Sequence, residues 1–284
     1  MKPKFYYHDT KIRGHVEQIH YTAYNVKGEA VEKYANVYLP AAYDGEKRFN
    51  ILYLMHGGGG SPDAWFDSCP LKNVFDYSIG EEGVSPCIVV TPTYYTAGNT
   101  PDDFAHEGEK TLLFQKELVR DLIPAVESKY HTYAKTTDAE GLKASRMHRA
   151  FGGFSMGSVT TWNALLENID AFAYFLPLSG DSWIIEQLGG KEHGYETAKA
   201  IHDKVLASGY KPDEYFIYFM TGTKDIAYDQ VKGQVNGMLQ FPDTFIEATG
   251  FNKGNFLWHY EEGAVHSYEW VCNYVYQALP YLFK

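Results

Sequence analysis

Two stretches near the start, Val16 to Asn25 and Ala30 to Leu39, alternate between apolar and polar positions. Period two places one face of each on a core and the other toward water, which predicts an antiparallel pair of half-buried strands. Beyond them the pattern changes. Ile51 to Met55 and Cys87 to Thr91 are short continuous apolar runs, the signature of parallel strands buried on both faces. Arg149 to Gly152, Phe172 to Leu178, Tyr215 to Met220 and Phe256 to Tyr260 read the same way. Helical patterns lie between them. From Thr111 to Tyr130, Leu118, Leu122 and Val126 recur at four-residue steps beside Val119 and Ile123. Pro124 interrupts that run, and a kink is expected there, because proline lacks the amide the ladder needs. Val159 to Glu167 is a second helix, with Trp162, Leu165 and Leu166 on one face. Tyr268 to Phe283 is the last, gathering Val271, Val275, Leu279 and Leu282. Such alternation predicts a mostly parallel sheet wrapped by helices, with the functional site at the carboxyl ends of the strands.

Candidate chemistry falls at those strand ends. Gly153-Phe154-Ser155-Met156-Gly157 sits where a buried strand turns into a helix. A serine at such a turn is held in a tight backbone conformation and presents its hydroxyl above the helix N-terminus. An incidental serine in a glycine-rich turn is the alternative reading. Upstream, the run Ile51 to Met55 ends in His56-Gly57-Gly58-Gly59-Gly60, where glycine permits a close backbone approach to a substrate. The N–H groups of Met156 and Gly58 are the candidate oxyanion donors. Downstream, Asp225 follows one strand in Thr221-Gly222-Thr223-Lys224-Asp225, and His266 follows another in Gly263-Ala264-Val265-His266. The order Ser155, Asp225, His266 is that of α/β-hydrolase triads. In such a triad the imidazole takes the serine proton and the carboxylate fixes its tautomer.

Each role has a competitor. Asp181, in Leu178-Ser179-Gly180-Asp181, also follows an apolar run, whereas Asp229 reads as an ordinary acid of a helix first turn. His259 falls within a strand, and His20, His106, His131 and His148 lack a glycine-flanked loop after one.

Taken with Glu117 to Pro124, Leu178-Ser179-Gly180 and Tyr38-Leu39-Pro40, these segments resemble the feruloyl esterases of carbohydrate esterase family 1. The resemblance runs from about Tyr34 to the C-terminus. It implies an α/β-hydrolase fold in a single domain, residues 1–284: a mostly parallel central sheet flanked by helices, with an antiparallel N-terminal strand pair. It also implies an acyl-enzyme mechanism on hydroxycinnamoyl esters of plant cell-wall arabinoxylan, a secreted setting, and possible attachment to glycanase or binding modules. Acetyl xylan esterases, S-formylglutathione hydrolases and mycolyltransferases look similar, so a small-acyl carbohydrate esterase is the alternative substrate reading. An inactive carbohydrate-binding module on the same fold is the alternative of another class. One departure stands out: Ser158 follows Gly157 where family members more often carry a second glycine.

Composition narrows the partners. A net charge of −11 argues against nucleic acid and anionic membrane surfaces. No apolar run approaches the length of a membrane helix, and the start, Met1 to Phe5, has no apolar signal segment, so any secretory signal is removed or never present. Three cysteines, Cys69, Cys87 and Cys272, cannot all pair and lack metal spacing; buried thiols with at most one bridge are expected. No cofactor motif is visible. Aromatic residues make up 16% of the chain, and Trp65, Trp183, Tyr268 and Trp270 lie beside the proposed site. These tryptophans are candidate substrate-binding residues for a planar acid or sugar ring, with core packing as the alternative, most of all for Trp270.

Overall fold

The computed structural model describes residues 10–25, 27–95, 106–248 and 253–284; the start, Met1 to Phe5, lies outside them. Eight strands form one sheet: β1 (His15–Tyr24), β2 (Ala30–Leu39), β3 (Asn50–Met55), β4 (Cys87–Thr91), β5 (Arg149–Phe154), β6 (Tyr174–Leu178), β7 (Phe216–Gly222) and β8 (Phe256–Glu261). Their spatial order is β1-β2-β4-β3-β5-β6-β7-β8. The hairpin β1–β2 is antiparallel and joins β4 antiparallel, while every pairing from β4 to β8 is parallel. The antiparallel pair read from the alternating positions is therefore the edge of the sheet.

Side chains leave the central strands alternately toward two cores. Ile51, Tyr53 and Met55 of β3 and Ile217 and Phe219 of β7 enter one. Leu52, Leu54, Tyr218 and Met220 enter the other. Helices cover both faces, which is why these strands read as unbroken apolar runs. The first core is closed by α3 (Glu107–Glu117), α6 (Met156–Asn168), α7 (Gly194–Ser208) and α8 (Tyr228–Met238), through Phe114, Trp162, Ile201 and Val235. The second is closed by α1 (Ala64–Ser68), α2 (Leu71–Glu81) and α9 (Tyr268–Ala278), through Trp65, Phe75, Val271 and Tyr274. All three cysteines are buried free thiols.

Pro124 produces the expected irregularity in a specific form. The helix widens to a π turn over Leu118–Leu122, in which the Ile123 amide bonds the Leu118 carbonyl, and Pro124 then opens α4 (Ile123–Glu127), which the short α5 (Ala139–Ala144) follows. Placing proline in a first turn removes an amide that the register shift has already freed. Below it, Arg149 at the start of β5 holds Glu127 through Nε at 2.7 Å and Nη2 at 2.9 Å. Tyr53 and Thr132 also donate to that carboxylate, so the buried ion pair has its remaining lone pairs satisfied. The last helix is shorter than its pattern: α9 ends at Ala278, and a 3₁₀ turn containing Pro280 follows over Leu279–Tyr281.

Candidate active site

Ser155 stands between β5 and α6 with φ 57° and ψ −113°, a left-handed conformation unusual for a side-chain-bearing residue. The packing that imposes it excludes anything larger than glycine on either side. A Cβ on Gly153 would lie 2.5 Å from the Gly157 carbonyl oxygen, and one on Gly157 would lie 2.4 Å from that of Met55. The strand thus runs directly against the helix, and the serine is turned outward above it.

The acid and the histidine follow parallel strands beyond β6 in the same sheet. Asp225 follows β7 and His266 lies between β8 and α9. His266 Nε2 is 2.9 Å from Ser155 Oγ, and His266 Nδ1 is 2.7 Å from Asp225 Oδ1. A carboxylate accepts only, so Nδ1 carries the proton and Nε2 is left to accept from the serine hydroxyl. Asp225 is buried and its Oδ1 also accepts the Ala227 amide at 2.8 Å, which fixes the carboxylate. Phe154 packs its ring 4.5 Å from that of His266 and limits the tilt of the imidazole.

The glycine loop faces this group. Three of its four amides are already engaged: Gly57 donates to Tyr268 Oη at 3.1 Å, Gly59 to Tyr95 Oη at 2.9 Å, and Gly60 to the Gly57 carbonyl at 3.1 Å. Gly58 alone of the four keeps its amide unengaged among the described residues, and its ideal Cβ position lies 3.3 Å from Met156 Cγ. Gly58 therefore abuts the first residue of α6, whose N-terminal amides also lack intrahelical partners. His56 anchors the loop from behind. Burial pushes its imidazole down to about 4, so it is neutral; Nδ1 donates to the Gly57 carbonyl at 2.7 Å and Nε2 accepts from Thr93 Oγ1 at 2.7 Å. Burial pushes the Tyr268 hydroxyl up to about 12, keeping it protonated beside Gly57.

A cavity of about 460 Å³ opens over Ser155 and His266, with Gly57, Gly58, Phe154 and Tyr268 in its walls. That is within the range of small-molecule sites, roughly 300–1,000 Å³. Such an arrangement can deprotonate a serine, hold a developing oxyanion and protonate a leaving alcohol.

The tryptophans belong elsewhere. Trp65 is fully buried, donates Nε1–H to the Met55 carbonyl at 3.0 Å and meets Tyr268 edge-on, so it is a core residue and not a pocket wall. Trp183 lines a separate cavity of about 450 Å³ with Gly108, Leu112 and Val159. Trp270 packs, half-buried, against the second core. The aromatic walls over the serine are Phe154, which sequence reasoning did not single out for that role, and Tyr268, which it placed beside the site after His266. Adjacency to Ser155 and His266 was the signal available for them. Tyr95 had none.

The competitors separate as well. Asp181 accepts the Gly190 amide at 2.8 Å and Trp183 Nε1–H at 3.3 Å, so it organises the loop after β6. Asp229 pairs with Lys191 at 3.4 Å on the surface, and His259 is an exposed partner of Glu261 at 3.8 Å.

Residues 32–270 match the family profile Esterase, described as "Putative esterase". The chain is 41% identical over 252 residues to endo-1,4-beta-xylanase Y of Acetivibrio thermocellus, covering 88% of this chain and 22% of that protein. It spans about a quarter of the length of the curated relatives it matches. Among solved structures, a serine-to-alanine mutant of the feruloyl esterase module from Clostridium thermocellum, complexed with sinapinate, superposes with TM-score 0.87 at 39% identity, covering 99% of this chain and 92% of that one. A ferulic acid esterase from Anaeromyces mucronatus, at 20% identity and TM-score 0.73 over 99% and 96% of the two chains, shares the fold. With its eight-stranded sheet and a serine elbow at the end of β5, the chain belongs to the esterase family, in company with the feruloyl esterase modules.

Proposed function

We propose that this chain is a serine carboxylesterase that hydrolyses feruloyl and related hydroxycinnamoyl esters of plant cell-wall arabinoxylan. The observation that carries the reading is the unbroken line Asp225, His266, Ser155 at 2.7 and 2.9 Å, in a chain 39% identical to a feruloyl esterase module whose mutant is complexed with sinapinate. Sinapinate is itself a hydroxycinnamate, so the acid side of the substrate follows from that likeness.

Ser155 Oγ attacks the ester carbonyl carbon as His266 Nε2 removes its proton. The carbonyl oxygen becomes an oxyanion held by the Gly58 and Met156 amides, and loss of one such donor typically costs on the order of a hundred- to a thousandfold in rate. The tetrahedral species collapses to a hydroxycinnamoyl-serine, and His266 delivers its proton to the departing sugar hydroxyl. Water, deprotonated by the same imidazole, then releases the acid. Asp225 keeps Nδ1–H pointed away from the serine throughout.

The chain is one esterase domain of carbohydrate esterase family 1, acting outside the cell. The xylanase names of its much longer relatives support its attachment to glycanase modules. No helix among the described residues is long and apolar enough to cross a membrane.

Hydrolysis of methyl ferulate, measured beside 4-nitrophenyl acetate and acetylated xylan, tests the proposal. Turnover of methyl ferulate with release of ferulate from arabinoxylan is the expected result. Ready cleavage of acetylated xylan with almost none of methyl ferulate would move the enzyme to the acetyl esterases. Xylan binding without cleavage of any ester would make it a binding module.

A further inference from the structure

Behind the glycine loop lies a group of polar side chains that the reaction as described does not use. Gly59 donates its amide to Tyr95 Oη at 2.9 Å. Tyr95 Oη lies 3.0 Å from both carboxylate oxygens of Glu107, and Tyr94 Oη lies 2.5 Å from Oε2. Glu107, the first residue of α3, is almost fully buried, with Lys110 Nζ 3.1 Å from Oε1. Chemistry gives this chain of bonds a direction. A carboxylate can only accept, so the phenolic proton of Tyr95 goes to Glu107 and its oxygen lone pair is left facing the Gly59 amide. The His56 ring stacks on that of Tyr95 at 5.6 Å while its Nδ1 holds the Gly57 carbonyl. Gly57 and Gly59 are thereby pinned on either side of Gly58.

We propose that Tyr95 and Glu107 are positioning residues for the oxyanion loop: the buried Glu107 carboxylate orients the Tyr95 hydroxyl, which holds the Gly59 amide and so aims the neighbouring Gly58 N–H at the reacting carbonyl. Neither residue lines the cavity over Ser155. This rests on the esterase reading above in assigning Gly58 its role. Fixed dipoles aimed at a developing charge stabilise a transition state more than a ground state, so the effect belongs in kcat and not in KM.

Tyr95→Phe removes the acceptor and Glu107→Gln removes the charge that orients it. Each is expected to speed amide hydrogen exchange across residues 56–61. In each, kcat on methyl ferulate is expected to fall about tenfold, the scale of lost outer-shell support, with KM within about twofold. Melting temperature reports whether either variant has lost its fold, and Glu107→Asp, which keeps the carboxylate, is expected to recover part of the loss. Exchange across 56–61 unchanged in a folded Tyr95→Phe would overturn the proposal, as would a kcat equal to wild type. A wild-type protein inactive on every ester would overturn the esterase reading, and the exchange measurement would still decide whether Tyr95 and Glu107 hold the loop.

Discussion

The amide of Ser155 donates to the carbonyl of Leu178 at 2.9 Å, so the serine elbow hangs from the end of the neighbouring strand. Ser158 adds a second tie one turn later, its Oγ donating to the Gly180 carbonyl at 2.6 Å. Ser158 is therefore a buried tie between α6 and the segment after β6. Ser158→Gly should lower stability by about 1–2 kcal/mol, from one lost hydrogen bond and a glycine inside a helix. Urea denaturation checks this. Gly157→Ala should be far worse, because its Cβ would lie 2.4 Å from a backbone oxygen, and loss of both fold and activity is expected.

Ser155→Ala should leave the melting temperature close to wild type and reduce kcat on methyl ferulate by at least roughly ten-thousandfold, the scale seen when a triad nucleophile is removed. Retention of a hundredth of the activity would mean that another group performs the attack.

The two acids should differ sharply. Asp225→Asn leaves the geometry in place but favours the wrong imidazole tautomer, and a fall in kcat of about ten-thousandfold is expected. Asp181→Asn, which touches a loop and not His266, should cost less than tenfold near neutral pH. Steady-state kinetics on the pair decide the ranking.

Asp181 and His56 also set opposite pH responses of stability. Burial lowers the imidazole of His56 from 6.5 to about 4, so the folded chain binds fewer protons than the unfolded one between those values. Stability is therefore lost as pH falls through that window. Burial raises the Asp181 carboxyl from 3.8 to about 6, so the folded chain holds an extra proton between those values and gains stability as pH falls. Asp181→Asn removes the offset. Its stability should drop more steeply than wild type from pH 6.5 to pH 4, by an extra amount on the order of 3 kcal/mol at most. Equal slopes in denaturation at the two pH values would show that Asp181 does not hold its proton.

Trp65→Ala should destabilise by about 3–5 kcal/mol, as large buried aromatics do, and reduce activity on methyl ferulate and 4-nitrophenyl acetate alike. Selective loss on the ferulate ester would return Trp65 to the pocket.

Much of this protein was legible along the chain because its periods are short. Alternation at 16–25 and 30–39 marks a one-sided edge hairpin, and continuous apolar runs mark strands covered on both faces. The elbow was legible too, since the glycines flanking Ser155 answer a local steric demand between β5 and α6. The order of Ser155, Asp225 and His266 could be read, but their meeting could not, because 70 and 41 residues separate them along the chain and only the parallel order β5-β6-β7-β8 brings the loops at the strand ends within 3 Å. The sequence names Gly58 as a donor by the position of its loop, but nothing along the chain distinguishes its amide from those of the other three glycines. That distinction belongs to Tyr268, Tyr95 and the Gly57 carbonyl, which engage three amides and leave Gly58. Nor could the sequence tell a tryptophan in a wall from one in a core. Trp65 follows the glycine loop in sequence, yet α1 turns it under β3 to satisfy the Met55 carbonyl. Burial and the partner of a polar atom are set by elements distant in sequence, so only the tertiary structure decides them.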